Sequence, residues 1–263
     1  MGTILDALVA SARERVATAK SKTPLREIIT RAEQTPLAVG EFAFEKALTT
    51  QDVAFICECK KASPSKGVIA SEFPYLKISQ EYEAAGADCV SVLTEPTKFL
   101  GADDYLREIA TVVNLPCLRK DFFVDEYMIY EAKTLGASAV LLICSILDDA
   151  SLRRFLETSD SLGLSALVEA HNEEEVRRAL QAGARIVGVN NRNLKDFSVD
   201  TTTSARLREI VGSRALFVAE SGIQTPQDVE LLRAVGVDAI LVGETLMRSS
   251  DKRATLRWLK GTA

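Results

Sequence analysis

In the stretch FICECKKASPSKG, residues 55–67, an apolar run closes on Glu58 and Lys60 and then turns through Ser63-Pro64-Ser65 to Gly67. A carboxylate and an ammonium two residues apart share one face of a strand. Four further apolar runs close in the same way, on Lys120, on Glu169, on Asn190 and on Glu220-Ser221-Gly222. One polar residue at a strand end is ordinary solvation. Five strands ending on groups that donate, accept or carry protons describe a site for acid–base chemistry, provided that the strand ends converge. On a buried face such charges are expected only when paired or used, because an isolated ion out of water is costly.

A second set of residues suits an anion. Glycines in ESG (220–222) and VGE (242–244) stand at strand ends before helix-like segments. Backbone N–H groups of Gly222, Gly243 and Glu244 can point at a phosphate there, with Ser63 adding a hydroxyl. Turn glycines without a ligand are the plainer reading of the same pattern.

A repeat supplies the elements that must position these groups. AAGADCVSVL (84–93), TLGASAVLLI (134–143), QAGARIVGVN (181–190) and AVGVDAILVG (234–243) each run from a helix tail through a glycine into an apolar strand. The glycine fits the left-handed position that ends a helix. The continuous apolar run fits a parallel strand covered on both faces. Four more strands, at 53–60, 115–120, 164–170 and 215–220, fall between the repeats, and helical-period segments separate all of them. Eight strands, each followed by a helix, predict an α/β fold of the (β/α)8 TIM-barrel class. A doubly wound open sheet is the alternative, but the Gly-rich phosphate loop expected after its first strand is missing. Strand parity then sets Ala54, Ile56, Glu58 and Lys60 on one face and Phe55, Cys57 and Cys59 on the other. If Phe55 packs beneath the helices, Glu58 and Lys60 point into the barrel at the strand C-terminal ends, where barrel active sites sit.

Residues 1–263 are expected to form a single barrel domain, with residues 1–47 as extra amphipathic N-terminal helices capping one end. Composition agrees: 47% of residues are apolar, enough for a large core, and the net charge of −5 argues against nucleic acid as a partner. No apolar run is long enough to span a membrane, and the charged N-terminus lacks a signal-peptide block. Five cysteines, mostly inside apolar runs, suit free thiols in a reducing cytoplasm. Cys57 and Cys59 could be a metal pair. With one histidine in the chain and no second cysteine cluster, no metal is expected.

Taken together, ECKKASPSKG, LRKDF, LVEAH, GVNNRNL, VAESGI and LVGETLM resemble the indole-3-glycerol-phosphate synthase family, in order and along nearly the whole chain. The resemblance implies ring closure, decarboxylation and dehydration of 1-(2-carboxyphenylamino)-1-deoxyribulose 5-phosphate, an activity of tryptophan biosynthesis that needs no cofactor. It implies Lys120 as general acid, Glu169 as general base or stabiliser of the cationic intermediate, and Lys60 on the substrate carboxylate. Glu58 would orient Lys60. Asn190 and Glu220 would position the reacting carbons, and Arg192 would steady a carboxylate. Ser63, Ser221, Gly222, Gly243 and Glu244 would hold the phosphate, with the Glu244 carboxylate turned away from it. Phe99, Phe122 and Leu194 would wall the aromatic ring. Lys120, among cations and apolar walls, is expected to titrate lower than a free lysine. The lone histidine, His171, is expected to serve as a cap or loop residue. The partner is then a small anionic phosphate ester, and the protein a monomer or at most a weak homodimer. Two other readings are a phosphoribosylanthranilate isomerase-like barrel, which would want a strand-end cysteine and aspartate, and a non-catalytic binding descendant.

Overall fold

The computed structural model describes residues 3–192, 198, 200 and 202–262. Eight strands form a closed, all-parallel barrel: β1 (Ala54–Cys59), β2 (Cys89–Leu93), β3 (Cys117–Lys120), β4 (Ala139–Ile143), β5 (Ser165–Ala170), β6 (Ile186–Asn190), β7 (Leu216–Glu220) and β8 (Ala239–Val242). Each strand pairs with the next in sequence, and β8 closes on β1 through Ala54↔Ala239 to Cys57↔Val242. Every expected strand is present.

Three helices precede the barrel: α1 (Ile4–Lys22), α2 (Leu25–Gln34) and α3 (Ala43–Ala47). The outer layer then consists of α4 (Tyr75–Ala84), α5 (Asp103–Val112), α6 (Tyr127–Thr134), α7 (Asp149–Ser161), α8 (Glu173–Ala182), α9 (Thr202–Val211) and α10 (Pro226–Val235), and after β8 come α11 (Glu244–Arg248) and α12 (Lys252–Lys260). Local chemistry sets the ends. Thr225 caps α10 as a capping box with Asp228, with Pro226 at the first helical position. Gly183 and Gly236 end α8 and α10 at φ of 95° and 80°, which a side chain would resist.

Strand alternation divides the core in two. Phe55, Cys57 and Cys59 face the helices, in a buried cluster with residues such as Tyr82, Leu106 and Leu246. Ala54 and Ile56 face inward with Leu118, Leu141, Leu167, Val218 and Leu241. The inward parity of Glu58 follows.

The N-terminal segment departs from the expected single cap, because it covers both ends of the barrel. α1 lies at the C-terminal mouth. Its buried stripe Leu8, Ala12 and Val16 has helical spacing, and Ile4, Leu5 and Leu8 line the mouth cavity. α2 packs on α6 with Ile28 and Ala32 buried. α3 seals the opposite end. Phe44, fully buried, and Leu48 fill the barrel interior beside Ala54, Cys89 and Ala139. The Phe42 N–H donates to Gly163 O (2.8 Å) and the Glu45 N–H to Ser165 Oγ (3.1 Å), which pins this plug to the start of β5. Sequence periodicity missed α3 because five residues are too short to show a helical stripe.

Two ion pairs tie α1 to the loop after β3: Lys20 Nζ lies 2.7 Å from Asp125 Oδ2, and Arg15 binds Asp121. Arg15 donates to both oxygens of Asp121 (2.9 and 2.7 Å), the residue immediately after Lys120. Asp121 also accepts from Thr94 Oγ1 (2.6 Å) and from the Phe122 N–H (2.8 Å). Burial alone would raise the Asp121 pKa, but Arg15, Arg119 and Thr94 hold it below the usual carboxylate range.

Phe44→Ala should empty the plug and destabilise the protein by about 3–5 kcal/mol, seen as a lowered urea midpoint. Arg15→Ala leaves a buried carboxylate without its main partner and should cost on the order of 3 kcal/mol at neutral pH. Because folded Asp121 titrates below its unfolded value of about 3.9, that contribution is complete above this pH and fades as pH falls through the folded value. Urea midpoints of wild type and variant, measured from pH 7 to pH 3, should therefore converge at the acid end.

Candidate active site

The charged side chains of the mouth come from alternate strands, β1, β3, β5 and β7, the pattern by which barrel interiors fill in layers. Glu58, Glu169 and Glu220 are each at most 4% exposed. Lys60 Nζ lies 2.6 Å from Glu58 Oε1. Lys120 Nζ lies 3.4 Å from Glu169 Oε2 and 3.5 Å from Glu220 Oε2. From β6, Asn190 Nδ2 donates to Glu169 Oε1 (3.4 Å).

Room for these carboxylates comes from the intervening elements. A Cβ added at Gly188 on β6 would collide with Glu220 Oε1, and one at Gly243 would come within 2.5 Å of Glu58 Oε1. A glycine inside the run IVGVN is a readable sign of close approach, though the group approaching it is not. Gly243 thus has a steric role besides its expected backbone one.

The close quarters set the protonation states. Burial would lower the Lys120 pKa, but Glu220, Glu169 and Glu58 outweigh it and raise it above that of a free lysine. The expected downward shift is therefore reversed: the neighbours of Lys120 are carboxylates, which lie far away in sequence. For Glu169 burial acts upward, and Lys120, His171 and Asn190 overcome it, so the group is held well below the carboxylate range. In Glu220 burial wins, reinforced by the like charges of Glu169 and Glu58, and its pKa is raised. Glu58 is held low against its burial by Lys60 and Lys120. The Lys120 ammonium thus stands beside two carboxyl groups whose surroundings push their pKa values in opposite directions.

All the described candidates line one cavity of about 990 Å³ at the C-terminal mouth. Phe99 and Phe122 sit on one side with ring centroids 6.2 Å apart. Ser63, Ser221, Gly222 and Gly243 lie at another part of the wall, where Ser221 and Gly222 both have left-handed backbones (φ 66° and 87°). The Glu244 carboxylate sits among three cations: Arg248 Nε at 3.0 Å, Lys66 Nζ at 3.7 Å and Arg192 Nη2 at 3.8 Å. Lys66 and Arg248 were not among the expected residues, since charged positions in a loop and a short helix carry no sign of what they face. Leu194 lies outside the described residues.

His171 does more than cap a loop. Its Nδ1 is 3.2 Å from Glu175 Oε2 and its Nε2 is 3.3 Å from Glu169 Oε1. Burial would lower its pKa, but these two carboxylates push it up to about 10. Cys57 and Cys59 lie on the outward face, buried among the helices, where no mouth ligand can reach them. Among the described residues no helix is long and apolar enough to cross a membrane.

A family model described as indole-3-glycerol phosphate synthase matches residues 5–259. A protein of that name from Ruminiclostridium cellulolyticum is 53% identical over 260 residues, covering 99% of this chain and 100% of the relative. Another from Endomicrobium trichonymphae is 50% identical, covering 98% of this chain and 99% of the relative. Among solved structures, a 3-hexulose-6-phosphate synthase superposes with a TM-score of 0.65 at 14% identity over 80% of this chain and 99% of its own. That likeness concerns the barrel fold alone.

Gly188→Ala should push the Glu220 carboxylate aside while leaving the barrel folded. Catalytic groups displaced by about 1 Å lose on the order of 10²-fold in rate. Steady-state kinetics should show that loss in kcat, with a thermal midpoint close to wild type.

Proposed function

The chain belongs to the indole-3-glycerol phosphate synthase family, and on that premise we propose how its own residues divide the work. The reaction closes 1-(2-carboxyphenylamino)-1-deoxyribulose 5-phosphate into an indole, with loss of carbon dioxide and water. The aromatic carbon bearing the carboxylate attacks the ketone, whose oxygen becomes basic as the bond forms. Lys120 protonates it. An ammonium kept charged by three carboxylates is a weak acid toward water, yet an alkoxide developing beside it is basic enough to take the proton. The positive charge left on the ring system is steadied by Glu169 until carbon dioxide departs.

Dehydration then needs an acid at the hydroxyl and a base at the neighbouring carbon. Lys60 or Lys120 supplies the acid, and Glu169, held as a carboxylate, is the base. Glu58 orients Lys60 through their 2.6 Å contact. Asn190 and Glu220 position the reacting carbons. Arg192 steadies the substrate carboxylate, Phe99 and Phe122 flank the aromatic ring, and Leu194 extends that wall. Ser63, Ser221, Gly222, Gly243 and Glu244 receive the phosphate. α1 covers the mouth and excludes water from it. The five buried free thiols and the acidic net charge support action in the cytoplasm without nucleic acid, as a monomer or at most a weak homodimer. The observation that carries these assignments is the placement of Lys120 between Glu169 and Glu220.

Lys120→Ala should lower kcat by about 10²–10⁴-fold, followed as indole fluorescence with the purified protein and the substrate. A variant keeping more than about a tenth of wild-type kcat would remove Lys120 from the acid role.

A further inference from the structure

The overall reaction takes one proton from solvent per turnover. The substrate carboxylate leaves as neutral carbon dioxide. The ketone oxygen acquires two protons and leaves as water, while the carbon beside the nitrogen returns one. A route apart from the mouth would let that proton arrive while the mouth is still filled.

A second cavity of about 500 Å³ adjoins the first, lined among others by Thr3, Ser145, His171, Glu175, Asn191 and Asp200. Glu169 lines the mouth and His171 the second cavity, and their facing atoms are 3.3 Å apart. The His171 side chain is 17% exposed and that of Glu169 3%. Beyond Glu169, Lys120 stands 3.4 Å away. We infer that His171 is the proton inlet of this enzyme, passing protons from water in the second cavity through Glu169 to Lys120.

The steps balance. After the first proton donation Lys120 is a neutral amine. Glu169, protonated when it takes the carbon proton, returns that proton to Lys120 for the dehydration. When the turnover ends Lys120 is again one proton short. His171 Nε2 lies 3.3 Å from Glu169 Oε1 and, among the described residues, makes no hydrogen bond, so the ring turns to give its proton to Oε1, and Glu169 Oε2 passes one to Lys120 Nζ. The imidazole, held at Nδ1 by Glu175, rocks into the second cavity and takes its next proton from water. Glu175 also accepts from the His171 N–H (2.8 Å) and from Asn172 Nδ2 (3.0 Å), so it is fixed in place as the counter-charge. Among the described residues, the other charged groups near this path are Glu58, Lys60 and Glu220 in the mouth, and Arg192 and Asp200 on the β6 side. Lys120, the end of the path, is held above the value of a free lysine and His171, its start, at about 10, so Glu169 between them, held low, carries each proton only in passing.

His171 acts through Glu169, so its test must separate proton delivery from positioning. The inference rests on the indole-forming reaction proposed above. His171→Gln keeps hydrogen-bonding capacity but carries no proton. With enzyme in excess over substrate, its first turnover should stay within about twofold of wild type, run on the stored lysine proton, while its multiple-turnover rate falls about tenfold or more. His171→Ala should be slow in the same way and regain multiple-turnover rate when imidazole is added. Because the chain has one histidine, the wild-type imidazole nitrogens can be followed singly by NMR and should remain doubly protonated past pH 8. A first turnover slowed as much as later ones, or an alanine variant that imidazole does not accelerate, would make His171 a positioning residue only and overturn the inlet. Wild-type steady-state rates in His171→Gln would overturn it as well. Wild-type protein that forms no indole from the substrate would instead defeat the underlying reaction, whatever the histidine titration shows.

Discussion

No charge in the mouth of this barrel can stand alone. Lys120 is mostly withdrawn from solvent on a strand whose neighbours are covered by helices, and its ammonium is tolerable there because carboxyl groups from β5 and β7 reach it. Those carboxylates in turn are tolerable only because they share it. Glu169 has His171 and Asn190 as further partners and stays ionised. Glu220 has fewer among the described residues, where its Oε1 has no hydrogen-bond partner, and burial pushes its pKa up. The opposite shifts of the two carboxyl groups thus follow the number of cationic partners each one reaches.

That balance dictates the architecture around it. The large charged groups occupy alternate strands, and Gly188 on β6 and Gly243 just after β8 leave the room that Glu220 and Glu58 take up. A layer of apolar residues below, including Ile56, Leu118, Leu167 and Val218, separates the charged layer from the Phe44 plug at the far end. The polar cluster behind β3 extends the same logic outward. Arg119, 1% exposed on the outer face, is matched by Asp103 and Glu131 at 2.8 Å each, and Thr94 joins it to the Asp121–Arg15 tether. Lys120 therefore sits on a strand clamped from both faces.

The eight strands were legible because a parallel strand buried on both faces is an uninterrupted apolar run, and five of them closed on a polar residue that faces the mouth. Glu58 and Lys60 were legible as a pair because strand parity is local. What a residue faces across the barrel is not local. The three carboxylates around Lys120 are 49 to 100 residues away in one direction and 62 in the other (169 − 120, 220 − 120, 120 − 58), so the direction of its pKa shift could not be read. His171 and Glu175 are close in sequence and looked like a loop closing on a helix start. Their meaning depends on a cavity formed by β4, β5 and β6 loops together. Phe44 was invisible for a different reason: a single aromatic in a short helix looks the same whether it plugs a barrel or rests on a surface.

The pairing of Ala54 with Ala239 joins residues 185 apart (239 − 54), and it is the seam that turns a sheet into a barrel. Until β8 arrives, β1 is an exposed edge and the Phe44 plug has no complete wall to fill. A chain emerging from the ribosome therefore carries its plug and its first strand through almost the whole of synthesis without their final neighbours. Contacts of such long range slow folding and leave sticky, half-closed species on the way. The seam places the decisive folding event after the eighth strand is made, so damage to β8 would harm the early part of the chain as much as the late part.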